Sequence, residues 1–150
     1  MKKILFALSF LFLMTSLHAQ DQLTSKQGFT LNPAEEHYYL FVLNDRPGDL
    51  PELLGEITKY IWKYHPREHL KITQIAIEGE LENTPIVHVR SFPDKAAAMA
   101  FHRELLKNHP DFLHMGLTVD YFPISKSNYE QVLRTKSLGG YRQFFDANYQ

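Results

Sequence analysis

Residues His37–Leu43 read HYYLFVL. Tyr, Phe and Val favour an extended, pleated backbone. A strand turns successive side chains to opposite faces, and here both alternating sets are apolar. Such a strand is covered on both sides and belongs in the middle of a sheet. The fold must therefore supply neighbours on either edge of HYYLFVL and cover above and below it.

The following segment supplies the first layer. Asn44–Gly48 turns the chain. Asp49, with Glu52 three residues on, reads as a capping box, and Pro51 is tolerated in a first helical turn. Leu50, Leu53, Leu54, Ile57, Tyr60, Ile61 and Tyr64 recur at helical spacing, and Pro66 stops the run. Leu70–Ile77 (LKITQIAI) is a second strand with Thr73, Ile75 and Ile77 on one face, followed by a polar connection over Glu78–Thr84. Ile86–Phe92 (IVHVRSF) is a third strand. Val87 and Val89 share one of its faces, and Ile86, His88 and Arg90 the other.

Pro93-Asp94 opens a second helix, whose Ala96, Ala97, Ala98 and Ala100 allow close approach to a sheet; Pro110 ends it. Leu117–Phe122 (LTVDYF) is the fourth strand, with Asp120 and Phe122 on one face. The order β-α-β-β-α-β predicts an α+β, ferredoxin-like sandwich with a four-stranded antiparallel sheet. Right-handed crossovers place the first and third strands in its centre.

The C-terminal segment adds to this plan. Ser127 and Glu130 read as a capping box, with Tyr129, Val132 and Leu133 on one helical face. Gly139-Gly140 breaks that helix, and Tyr141, Phe144, Phe145 and Asn148 or Tyr149 mark another. A two-layer sandwich leaves one sheet face bare. The two extra helices could cover it, lie beside it or dock on a partner, and intramolecular packing is the expectation, because large exposed apolar patches are uncommon.

The first residues carry a different signal. Lys2-Lys3 precede an apolar run, Ile4–Met14, and Thr15–Ala19 is small and polar. This is a secretory signal peptide pattern, expected to be cleaved after Ala19. The run is short against the roughly 20 residues of a membrane span, and no later segment offers one. The expected organisation is a signal peptide over 1–19, a flexible lead-in over 20–36 and one domain over 37–150. That domain is long enough to bury a substantial core. The 150-residue chain has no cysteine, so neither a disulfide nor a lipid-anchor cysteine is available. Its formal charge is −1, and −3 without Lys2 and Lys3, which points away from nucleic acid. The expected location is periplasmic or secreted.

Candidate chemistry is sparse. The chain has eight histidines. His65 and His69 lie four apart, but Pro66 breaks the helix that a zinc-binding His pair needs. His109 and His114 lie five apart. No serine sits in a nucleophile elbow, and Gly139-Gly140 is no phosphate loop. We therefore expect no metal, no cofactor and no catalytic residues. The one polar group of interest lies on the sheet face away from the first two helices. There His88, Arg90, Asp120 and Phe122 form a candidate binding face, read either as an internally paired cluster or as a ligand site.

Phe122–Tyr149, FPISKSNYEQVLRTKSLGGYRQFFDANY, resembles the extreme C-terminus of exported bacterial tetratricopeptide-repeat proteins linked to gliding and type IX secretion. The shared pattern is F-x-I-S-x-x-N-Y/F followed by Y-x-x-F-F-x-x-N-Y, and the strand HYYLFVL also resembles the start of their small α/β domain. The resemblance spans roughly 37–149 and implies a non-enzymatic module of the cell envelope, without the repeats. Its partners would be an envelope protein or a second copy. Val89–Leu105, VRSFPDKAAAMAFHREL, is similar to half of a SPOR domain, with Ser91 in place of the usual glycine. That similarity implies peptidoglycan binding through the sheet.

Overall fold

A computed structural model describes residues 28–44 and 50–150. Four strands, β1 (His37–Leu43), β2 (Lys71–Ile75), β3 (Ile86–Phe92) and β4 (Thr118–Ser125), form one antiparallel sheet in the order β2-β3-β1-β4. Helices α1 (Leu50–Tyr64) and α2 (Lys95–Asn108) make the two crossovers. Helices α3 (Lys126–Thr135) and α4 (Tyr141–Asn148) follow β4. This is the ferredoxin-like arrangement with two added C-terminal helices. Among the described residues no helix is long and apolar enough to cross a membrane.

β1 is buried along its whole length because it separates two cores. Tyr39, Phe41 and Leu43 face Val87, Val89 and the apolar sides of α1 and α2. Tyr38, Leu40 and Val42 face the other way, toward Ile86, Phe122, Ile124, Val132, Tyr141 and Phe145. The aromatic C-terminus thus covers the second sheet face. Tyr141, Phe145 and Tyr149 are buried and Phe144 is partly so. α4 also reaches past β4 to α2: Phe145 meets His102 at 5.5 Å, and Lys95 Nζ donates to the Asn148 carbonyl at 2.6 Å.

Several boundaries differ from the sequence reading. β2 ends at Ile75, and the connection after it is not merely polar. It contains a 3₁₀ turn, Gly79–Leu81, and Ile77 and Leu81 are buried in the second core. β4 continues through Pro123 to Ser125, because an edge strand accommodates a residue without an N–H. Pro93-Asp94 opens α2 as expected, and Asp94 Oδ1 caps it by accepting from the Ala97 N–H at 2.8 Å. Asp49, half of the other expected capping box, lies outside the described residues.

The box read at Ser127/Glu130 is not formed. α3 starts two residues earlier, and Ser125 at its N-cap makes no side-chain capping bond. Glu35 caps the helix from outside instead: its carboxylate accepts from the Ser127 N–H at 3.2 Å and from the Ser127 hydroxyl at 2.6 Å. The described part of the expected lead-in, residues 28–36, is therefore part of the packed unit. Phe29 is buried against Tyr141, with ring centroids 4.9 Å apart. Asn128 also holds Thr30 in strand-like fashion, accepting from its N–H at 2.9 Å and donating to its carbonyl at 2.8 Å.

Candidate binding cleft

The four residues expected to form one binding face are divided by α3 and α4. His88 is buried under α3, stacked on Tyr129 at 4.7 Å and edge-on to Tyr38 at 4.7 Å. Its Nε2 has no hydrogen-bond partner. Burial, reinforced by the charge of Arg90, holds its pKa down to about 4, so the ring is neutral at pH 7. Arg90 is exposed at the other end of β3. Phe122 is buried against Tyr141 and Phe145. Asp120 accepts from Arg142 of α4 at 2.8 Å.

Asp120 and Phe122 do meet in a cleft of about 450 Å³ at the end of the second sheet face. β1 and β4 bring Val42, Asn44, Val119, Asp120 and Phe122 to it. The 3₁₀ turn and the loop after it bring Leu81, Asn83 and Thr84, and the start of the α4 segment brings Leu138 and Arg142. Val42, Leu81, Phe122 and Leu138 make an apolar floor. Asn44, Asn83 and Thr84 make a rim able to donate and accept hydrogen bonds. The Asp120–Arg142 pair closes one side, and Arg142 is itself held by Asp146 at 2.9 Å. Val119, 61% exposed, stands beside the opening. An apolar floor with a few polar groups at its rim is the usual make-up of a ligand-binding cleft.

Sequence reasoning identified Asp120 and Phe122 but missed the other residues of the cleft. The only available signals were Arg142, set among the C-terminal aromatics, and Leu138 just before the paired glycines. Neither shows which strand it meets.

The histidines behave as structural groups. His65 is buried at the end of α1, with Nδ1 2.9 Å from Glu68 and its ring 4.8 Å from Phe101. His69 is exposed, with left-handed backbone. The two do not share a helix face. His109 and His114 stack with nitrogens 2.7 Å apart on the surface. Among the described residues no three histidine or acidic side chains are grouped to hold a metal ion. His102 and His37 each meet a tyrosine. The Tyr39 hydroxyl lies 2.7 Å from His102 Nδ1, and the Tyr149 hydroxyl 2.9 Å from His37 Nε2. In comparisons with known proteins, the chain matches no family model, no curated protein and no solved structure.

Proposed function

We propose that this chain is a non-enzymatic, exported protein of the cell envelope that acts as a protein-interaction module. The observation that carries the reading is the cleft between β4, the 3₁₀ turn and α4, with its apolar floor, amide rim and exposed Val119. The Lys2-Lys3 and Ile4–Met14 pattern supports export. The terminal signature supports a link to gliding or type IX secretion machinery through resemblance alone. In this fold its residues have structural duties: Phe122, Ile124, Tyr141, Phe145 and Tyr149 build the second core, and Asn128 holds Thr30.

The SPOR-like alternative binds peptidoglycan through the sheet. α3 and α4 lie on the face that remains after α1 and α2, so peptidoglycan would have to displace them or use another surface. The deciding experiment is capture from native envelope with the purified protein and two variants at exposed cleft residues, Val119→Asp and Asn83→Arg. We expect one envelope protein to be captured by the wild type and lost with both variants at unchanged melting temperature. Capture unaffected by either change, or co-sedimentation with purified peptidoglycan instead, would overturn the reading.

A further inference from the structure

The two edges of the sheet are treated differently. At β4 two outward-facing backbone groups already have side-chain partners, and a third position lacks a donor. Tyr121 N–H donates to the Asp120 carboxylate at 2.8 Å, Pro123 has no N–H, and its carbonyl accepts from the Tyr141 hydroxyl at 2.8 Å. These are devices that stop an edge from pairing. At β2 no strand lies beyond Lys71–Ile75 among the described residues. The ladder fixes which groups are free. Leu43 N–H bonds the Pro85 carbonyl on the β3 side, and Asn44 N–H bonds Leu117 on the β4 side. Carrying that alternation through the registers Tyr39↔Val89 and Ile72↔Val89 turns the backbone of Ile72 and Gln74 outward.

The charges around this edge are ordered along the strand. Arg67, Lys71 and Arg90 lie at its start, Arg90 directly across from Lys71, and they outnumber Glu36 and Glu68, which border the same surface. Glu78, Glu80 and Glu82 follow its end, and Glu78 also meets Lys136 at 2.8 Å. Arg67, Lys71, Arg90, Glu78, Glu80 and Glu82 are exposed. A copy of β2 added in parallel would set like charges together. A copy added antiparallel would set each basic end beside the partner's acidic end, so the charge pattern selects one orientation.

We propose that β2 is a self-pairing edge: a second copy of this chain adds to it antiparallel, about a twofold axis at Thr73, and the two sheets become one. A twofold contact uses the same patch on both copies, as this edge allows. Ile72 of each copy then exchanges backbone hydrogen bonds with Gln74 of the other, and the two Thr73 residues face each other as a non-bonded pair. The pairing strand Lys71–Ile75 lines no part of the cleft, and only its acidic end, through Glu80 and Glu82, adjoins the loop that borders it.

The absence of native cysteine makes the register directly testable. Facing Cα atoms in a non-hydrogen-bonded antiparallel pair are about 4.5 Å apart, within disulfide reach. In the full chain, Thr73→Cys should oxidise to a covalent dimer, and Glu130→Cys, exposed on α3, should not. Sedimentation of the unmodified chain should show a monomer–dimer equilibrium that weakens with salt. Gln74→Pro removes one outward donor per copy, two in the dimer, while leaving the bonds to β3. It should raise the dissociation constant about thirtyfold, and Lys71→Glu should raise it too. Three results would overturn the proposal. One is a monomer at every concentration with no Thr73→Cys cross-link. Another is a dimer indifferent to Gln74→Pro in a folded variant. The third is a monomer whose Ile72 and Gln74 amides resist hydrogen exchange, since the chain's own segment would then be pairing there.

Discussion

Glu35 and Ser127 are 92 residues apart in sequence, yet one carboxylate oxygen of Glu35 accepts both the backbone N–H and the hydroxyl of Ser127. The bond pair fastens the segment before β1 to the first turn of α3. It does the work of an N-cap that the local sequence does not supply, and it places a negative charge at a helix N-terminus. Burial pushes the Glu35 carboxyl up, but hydrogen bonds from Ser125 and Ser127 outweigh it and hold the pKa below its usual value.

Replacing Glu35 with alanine should therefore cost about 1 kcal/mol, the usual loss on removing a helix cap. A carboxylate depressed in the folded state contributes stability above its unfolded pKa near 4.5 and loses it as pH falls through the lower folded value. The difference in denaturant midpoint between wild type and Glu35→Ala should be full at pH 7 and shrink below pH 4.5. A constant difference down to pH 3 would show that the carboxylate charge contributes nothing.

The buried histidines give the opposite end of the acid response. Burial, with Arg90 adding to it, holds His88 to about pKa 4; burial, with Arg142 and Arg103 adding to it, does the same to His102. The unfolded chain takes up these protons near pH 6.5, and the folded chain only near pH 4. Stability should then be full above 6.5, fall as pH drops from 6.5 to 4, and level off below with respect to these two groups. His88→Phe removes one of them and also the unpaired Nε2, and its ring still stacks on Tyr129. Its unfolding midpoint should fall less steeply than wild type between pH 6.5 and 4. An equal slope would mean that His88 takes up its proton without unfolding.

Which features the sequence discloses follows from the range of the forces involved. HYYLFVL declares a central strand because both of its faces are apolar, a property of seven adjacent residues. The Asp94 cap and the apolar side of α1 are equally local. The cap on α3 comes from Glu35, and no spacing within 125–130 reveals that. The same holds for the binding face. The pleat shows that His88 and Phe122 turn away from α1 and α2, but whether that face is wet depends on where the C-terminal aromatics settle. Once α4 settles against β4, Phe122 becomes core, Asp120 gains Arg142, and the open surface moves to the cleft.

Export is checked by the mature N-terminus. The Lys2-Lys3 pair followed by Ile4–Met14 leads us to expect a protein that begins near Gln20 and is extracted without detergent. N-terminal sequencing of the native protein reads this directly. Intact Met1 in the membrane fraction would establish an uncleaved anchor instead.

The C-terminal aromatics should behave as core rather than as an appendage. Tyr141 is fully buried, touches Phe29 and Phe122, and anchors its hydroxyl on the Pro123 carbonyl. Phe145 fills the space between Phe122 and His102, and Tyr149 bonds His37. Cutting a large buried aromatic to alanine costs about 3–5 kcal/mol, against a total of about 5–15 kcal/mol for a domain of this size. Tyr141→Ala and Phe145→Ala should thus lower the unfolding midpoint severely. Phe144→Ala should do less, because Phe144 is only partly buried beside Phe29. Tyr141→Phe isolates the hydroxyl and should cost about 1 kcal/mol or somewhat more, since the Pro123 carbonyl loses its partner. Deleting Leu138 onward removes all these contacts at once and leaves only α3 over the second face of the sheet. The truncated chain should lack a cooperative thermal transition. A truncated chain that melts cooperatively at the wild-type temperature would show that the first core is sufficient alone and that the aromatics serve a partner.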